Sequence, residues 1–342
     1  MFTRTKLCNP EIYSKLSPNI VDINASWEMP IENDNKLFYR RCFNSNGEIL
    51  TNIMASLYQV PAKNCLVFSS CIGIACTISA IKQFKRILVI KTTYPEMIYA
   101  YGSHRTPIEI DEDFDDFREG DLLCFDTVEL ENCKVTDYKS LVDRAHKAHA
   151  KVCIDNTVAT WYNNTCKYYD PDIIMESLSK FANGLNNAIL GWVYCKDPDD
   201  YQMLKIKYGI LGFAPHPVDC YLTICNLQTM DFRLNQIAKT SNRIVNKLNE
   251  LNIIKERDYY CYEPTGIFMF KVNDKNTLDK LWKTELNYIR RAVTFGAGFT
   301  TIDMGEIFKD ENLIRVSIGL EDFDDLWPDL KNVLKTLNYA LP

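Results

Sequence analysis

Positive charge is nowhere concentrated in these 342 residues: 39 Lys+Arg stand against 45 Asp+Glu, a net of 39 − 45 = −6, with no basic run. Proteins that neutralise phosphate backbones carry a basic excess or stripe, so nucleic-acid binding is excluded as a reading. The thirteen cysteines include no C-x-x-C and no close Cys/His cluster of zinc-ligand spacing, which removes a zinc module. Their odd number and their placement in apolar runs fit free thiols in a reducing compartment. No clean apolar stretch reaches membrane length: the best, Cys65 to Ile81, is interrupted by Ser69, Ser70 and Thr77. The opening residues, MFTRTKLCNPEIYSKLSPNI, lack the sustained apolar segment of a secretory leader. Walker spacing, the G-x-G-x-x-G glycines, internal repeats and low-complexity tracts are also missing. These absences leave an expectation of a cytoplasmic globular protein with neither a nucleic-acid nor a membrane partner.

What is present is core material, 46% hydrophobic and 12% aromatic residues, enough for one large domain or a large and a small one. Residues 1–50, rich in Asn, Pro and charge, read as an extended N-terminal arm. Short β-branched runs then alternate with longer helical ones. Strands are expected at Cys65–Phe68, Ile87–Lys91, Asp121–Asp126, Lys151–Asp155, Asp172–Met175 and Ile189–Cys195, and helices at Gly73–Phe84 and Thr136–His149. Such alternation predicts an α/β fold, a mostly parallel sheet flanked by helices that collects ligands at the carboxyl ends of its strands. An amphipathic helix at 231–250 leads to strands at Gly266–Val272 and Leu313–Ile318 and a closing helix at Leu326–Leu337. The expected division is therefore an arm (1–50), a large domain (51–230) and a smaller C-terminal α+β domain (231–342). His146 and His149, three apart on one expected helix, read as solvated rather than metal-binding.

Three segments carry chemistry together. The strand Lys151–Asp155 delivers the Asp155 carboxylate to its carboxyl end. Ser177-Leu178-Ser179-Lys180 places two hydroxyls just before a lysine, and Phe68-Ser69-Ser70-Cys71-Ile72-Gly73 passes from strand to helix through small residues, exposing N–H groups that can hold a phosphate. A lysine amine, a carboxylate for a ring nitrogen and a phosphate cradle are what pyridoxal 5'-phosphate (PLP) requires. Asp155 and Lys180 lie 180 − 155 = 25 residues apart, room for one passage between adjacent strand ends.

At these residues the chain resembles the Cys/Met-metabolism PLP-dependent enzymes, the group of cystathionine γ-synthase, cystathionine lyases and methionine γ-lyase, as a divergent and shortened member. The likeness runs from Tyr39 to Leu330. The family's S-S-G-M, V-D-N-T and S-x-T-K are similar to Ser69–Ile72, Ile154–Thr157 and Ser177–Lys180, and its R-L/V-S-V/I-G-L-E-D tail to Arg315–Asp322.

The resemblance implies fold type I with a seven-stranded sheet, PLP as cofactor, and a lyase or transferase acting at Cβ or Cγ of an amino acid, by elimination or replacement, through an internal aldimine on Lys180. It implies that Asp155, with Thr157 beside it, meets the pyridine nitrogen. Ser70, Cys71, Ile72, Ser177 and Ser179 would hold the phosphate, Tyr94 would stack on the ring as a catalytic residue, and Arg315 would clamp the substrate α-carboxylate with Thr294 and Glu96 nearby. It further implies a homodimer or homotetramer in which Tyr39 and Arg41 of the arm complete the neighbouring subunit's site. Departures gather around substrate: Pro95-Glu96 replaces glycines after Tyr94, Thr294 replaces a serine, and Cys71 replaces the phosphate-turn glycine. Other amino-acid chemistry on the same fold, or a degenerate paralogue serving as an assembly subunit, are the alternative readings.

Overall fold

The structure is a computed structural model that describes residues 39–41, 44–130, 133–163, 165–251, 259–271, 275–304 and 313–339. The rest of the expected arm and the end of the chain lie outside the described residues.

The first helix among the described residues, α1 (Ser45–Tyr58), begins inside the stretch read as arm. The Asn44 side chain caps it by accepting from the Gly47 N–H at 2.6 Å, and Leu50, Ile53, Met54 and Leu57 repeat at helical spacing to bury one face. There follow β1 (Cys65–Phe68), α2 (Cys71–Ser79), β2 (Arg86–Ile90), α3 (Pro95–Tyr101), β3 (Ile108–Ile110), β4 (Asp121–Asp126), α4 (Lys139–Lys147), β5 (Lys151–Asp155), the single turn α5 (Thr160–Asn163), β6 (Ile173–Ser177) and β7 (Gly191–Cys195). The seven strands form one sheet in the order β1-β7-β6-β5-β4-β2-β3. Every neighbouring pair is parallel except those of β7, which runs against both β1 and β6. The strands are apolar on both faces, as a sheet covered by helices on each side demands.

Helices α6 (Pro198–Leu211), α7 (Pro217–Leu227) and α8 (Met230–Glu250) lead out of this sheet. α8 buries Met230, Leu234, Ile237, Ile244 and Leu248 along one stripe. Beyond it lie β8 (Tyr259–Tyr262), β9 (Ile267–Lys271), α9 (Lys275–Lys283), β10 (Arg290–Arg291), β11 (Thr301–Asp303), β12 (Leu313–Ser317) and α10 (Phe323–Thr336). These strands make a second sheet of order β10-β11-β12-β9-β8, antiparallel apart from β10 with β11.

The histidine reading needs correction. α4 ends at Lys147, and His149 follows in a left-handed turn with φ of 57°, so the two rings do not share a helix face. His146 has a partner, its Nε2 lying 3.1 Å from Asp172 Oδ2. Among the described residues no His/Cys/Asp/Glu group is arranged to hold a metal, and no helix is long and apolar enough to cross a membrane.

Candidate active site

The carboxyl edge of the large sheet opens into a cavity of about 660 Å³. Its floor is set by strand register: Asp126 ends β4 directly beside Asp155 at the end of β5, and Asp155 pairs in turn with Met175 of β6. The Asp155 carboxylate accepts from the Thr157 N–H at 2.9 Å and from the Thr157 hydroxyl. The same hydroxyl accepts from the Ser177 N–H at 2.8 Å, tying two strand ends together. Burial raises the Asp155 carboxyl above the ordinary range, with the Thr157 hydrogen bonds and the Cys71 thiol opposing that rise. Asp126 is pushed further up, by its burial and then by the neighbouring Asp155 charge. One Asp126 oxygen accepts from the Tyr94 N–H at 2.9 Å; the other has no hydrogen-bond partner among the described residues.

The strand-to-helix turn closes one end of the floor. Ser70 caps α2, its Oγ accepting from the Gly73 N–H at 3.0 Å, while the first helical amides, at Cys71 and Ile72, belong to residues that line the cavity. Gly191 lies beneath this turn. A Cβ there would stand 2.7 Å from the Cys71 nitrogen and 2.8 Å from its Cα, so only glycine lets β7 approach so closely. The Cys71 side chain turns down toward the floor, its sulfur 3.9 Å from Asp155 Oδ2.

Lys180 emerges after β6 into the same cavity. Burial, reinforced by the positive charge of Arg315, pulls its amine down to about 8, against the opposing pull of Glu96 and Asp303. The Nζ lies 4.9 Å from the centre of the Phe295 ring. The loop that carries it is held from both sides. Arg233 of α8 donates to the carbonyls of Phe181 at 2.8 Å and Ala182 at 3.2 Å. On the other side Gly296, at φ of 73°, packs so tightly that a Cβ would meet the Phe181 nitrogen at 2.8 Å. The Ser179 hydroxyl accepts from the Leu190 N–H at 2.9 Å and lies 3.1 Å from the Leu190 carbonyl, so in this structure its proton is committed to the backbone.

The opposite wall comes from α3 and the smaller sheet. Tyr94 precedes Pro95, which occupies the first position of α3, and Glu96 follows in the first turn. Burial raises the phenol well above its ordinary value, and the Glu96 partner adds to this. Arg315 on β12 faces Asp303 on β11 in register, and the pair, both buried, meets at 2.7 Å. Thr294, Phe295 and Val293 complete this side.

Of the expected site residues, Ser70, Cys71, Ile72, Tyr94, Glu96, Asp155, Thr157, Ser177, Ser179, Lys180, Thr294 and Arg315 all line this one cavity. Tyr39 and Arg41 do not. They stack on each other, 5.2 Å from guanidinium carbon to ring centre, and Arg41 borders a separate shallow depression on α6 with Gln202, Ile206 and Ile210. Sequence reasoning missed Asp126, Asp303, Phe295, Asp219 and the 186–189 wall. Asp126 ends an expected strand just as Asp155 does, so its signal was present. Asp303 had none, since its role follows from its register against Arg315.

The PLP family model, described as "Cys/Met metabolism PLP-dependent enzyme", matches residues 9–276. Cystathionine gamma-lyase of Dictyostelium discoideum is 24% identical over a segment spanning 59% of this chain and 59% of that protein, so under two thirds of that relative's length is matched. Cystathionine gamma-lyase of Homo sapiens is 24% identical over 87% of this chain and 83% of that protein. Among solved structures, cystathionine gamma synthase from Xanthomonas oryzae pv. oryzae in complex with cystathionine superposes with a TM-score of 0.82 at 17% identity, covering 100% of both chains, a likeness of fold.

Proposed function

This chain belongs to the Cys/Met metabolism PLP-dependent enzymes and has their fold type I architecture, and on that premise we propose that it is a PLP-dependent lyase or transferase acting at Cβ or Cγ of a sulfur-containing or O-activated amino acid. The observation that carries the reading is the convergence of a depressed lysine amine, a buried carboxylate at a strand end and an open helix N-terminus on one cavity.

The residues suit the group. A carboxyl that burial raises gains from a cationic partner, which a protonated pyridine nitrogen at Asp155 would supply. The amides of Cys71 and Ile72, with Ser70 and Ser177, would take the phosphate; Ser179 would join them only by giving up its Leu190 contact. When bound, PLP supplies an electron sink for negative charge developing at the substrate Cα. Lys180 Nζ is the base within reach: being pulled down to about 8, it is neutral in a substantial fraction of molecules near pH 7.5 and in most above pH 8. It takes the proton from Cα and can return one to the carbon or heteroatom chain. Arg315, paired with Asp303, would meet the substrate α-carboxylate. In elimination the Cα–H and carbon–sulfur bonds break, the sulfur leaves as a thiol, and water releases ammonia and a 2-oxo acid; in replacement an incoming nucleophile fills the vacated carbon. Tyr39 and Arg41, remote from their own chain's cavity, fit the proposal that they serve a partner's site in a homo-oligomer.

Reconstitution with PLP tests this. The wild type is expected to gain a visible absorbance band that Lys180→Ala lacks, with turnover falling at least about a thousandfold. Capture of PLP by the cofactor-free protein should accelerate as pH rises through about 8, the neutral amine being the nucleophile. Sedimentation should give a species of at least two chains. Mass spectrometry of products from a panel of amino acids assigns elimination, replacement or other chemistry; a band without turnover of any of them would favour the degenerate paralogue. No band in the wild type overturns the reading.

A further inference from the structure

The site's charges are unevenly distributed. Among the described lining residues the cations are Lys180 and Arg315, both toward the inner end of the cavity, and Arg315 is already matched by Asp303 at 2.7 Å. Lining carboxylates number four: Asp126 and Asp155 are buried in the floor, while Glu96 is exposed and Asp219, in the first turn of α7, is partly so. The lining also includes the apolar side chains of Met97, Val128, Leu130, Ile189 and Val293. A ligand held at the buried Arg315 therefore shares the cavity with apolar surface and with the exposed negative charge of Glu96.

Glu96 is positioned rather than incidental. Pro95 fixes the start of α3 and so sets where the next side chain projects. The Glu96 carboxylate lies close enough to the Tyr94 phenol to reinforce that group's upward shift, and an ionised carboxylate can take about four hydrogen bonds. Its charge is felt at both Lys180 and Tyr94, which places it within range of a substrate bound there. A ligand tail ending in a carboxylate would meet like charge, whereas an ammonium would gain a charge-assisted hydrogen bond.

We propose that Glu96 selects amino acids whose side chain ends in a cation, an ammonium at the far end of an apolar or thioether spacer. This rests on the reading above, in which Lys180 and Arg315 engage the α-amino-acid end. Glu96 acts as a specificity-determining residue and Asp219 deepens the same negative mouth.

Three cysteine derivatives of nearly equal length separate the charge from the chain: S-(2-aminoethyl)-L-cysteine, S-propyl-L-cysteine and S-carboxymethyl-L-cysteine. Equilibrium binding to the PLP-loaded full chain, by calorimetry and by perturbation of the cofactor band, should rank them in that order, the aminoethyl compound binding about fivefold tighter than the propyl one, the scale of a partly exposed charge pair. Glu96→Gln should abolish that preference, read as the ratio of aminoethyl to propyl affinity within each variant, and Glu96→Lys should reverse it in favour of the carboxymethyl compound. Equal binding of all three to the wild type, or a preference that survives Glu96→Gln, overturns the assignment of Glu96 but leaves the proposed PLP chemistry standing. Failure of all three to bind a protein that carries the band overturns the assignment of Glu96, whereas absence of the band overturns the reading on which it rests.

Discussion

The floor and the mouth of the cavity are built by different rules. The floor is strand ends and backbone: Asp126 beside Asp155, Thr157 bridging to Ser177, the α2 turn pressed on Gly191. Each contact there involves main chain or a buried carboxylate, and a change of one atom has nowhere to go. The mouth is side chains on short elements, with Glu96, Ile189 and Val293 exposed. Departures from the family pattern largely follow this division, falling at Pro95-Glu96 and Thr294 while Asp155, Thr157 and Lys180 keep their places; Cys71, in the α2 turn of the floor, is the exception. Chemistry common to a family constrains the floor; choice of ligand is worked out at the mouth.

One substrate-facing residue should break that division, and it carries the largest expected effect. Arg315 faces the substrate space yet sits in a buried pair with Asp303, the two side chains being 2% and 1% exposed. Arg315→Gln removes one partner of a buried pair and should lower stability by about 3–5 kcal/mol, read by urea denaturation; a loss under about 1 kcal/mol would place the arginine with the tolerant mouth. Next comes the floor itself. Gly191→Ala drives a Cβ to 2.7 Å from the Cys71 nitrogen, so a destabilisation of about 1–3 kcal/mol is expected, with weakened PLP retention on dialysis. Retention equal to wild type would mean that the α2 turn can move without cost, contrary to the packing. The smallest effect belongs to Thr294→Ser. Thr294 lines the mouth, and its carbonyl, not its side chain, accepts from the Thr301 hydroxyl at 3.0 Å. Its stability should stay within about 0.5 kcal/mol of wild type by thermal melting, and a larger change would assign that methyl a structural task.

Much of the floor was legible because its strands are apolar runs that end in a polar residue, as β4 and β5 do, or pass straight into polar ones, as β1 does at Ser69-Ser70. β1, β4 and β5 fall on the expected bounds, and each ends at the edge where the site forms. Legibility failed where the signal is positional. α3, α6 and α7 each open with proline, at Pro95, Pro198 and Pro217; proline reads as a breaker, yet at the first helical position its fixed φ and missing N–H cost nothing. The start of α1 was folded into the arm because Ser45, Asn46 and Gly47 look like loop until Asn44 is seen capping them. β10 and β11 are two and three residues long, too short for any period to register. That brevity hid Asp303, whose importance depends on a strand pairing that no local pattern encodes.

The reversed strand of the large sheet bears on how the molecule assembles itself. Because β7 runs against β6, the lysine-bearing loop is the connection of a hairpin, closing between Ser177 and Gly191, a separation of only 191 − 177 = 14 residues. The pairing of β1 with β7, which brings the α2 turn down onto Gly191, joins Phe68 to Gly191 across 191 − 68 = 123 residues. Local closures precede distant ones during folding. The nucleophile's own loop is thus expected to form before the phosphate cradle, which waits for β1 to dock onto β7.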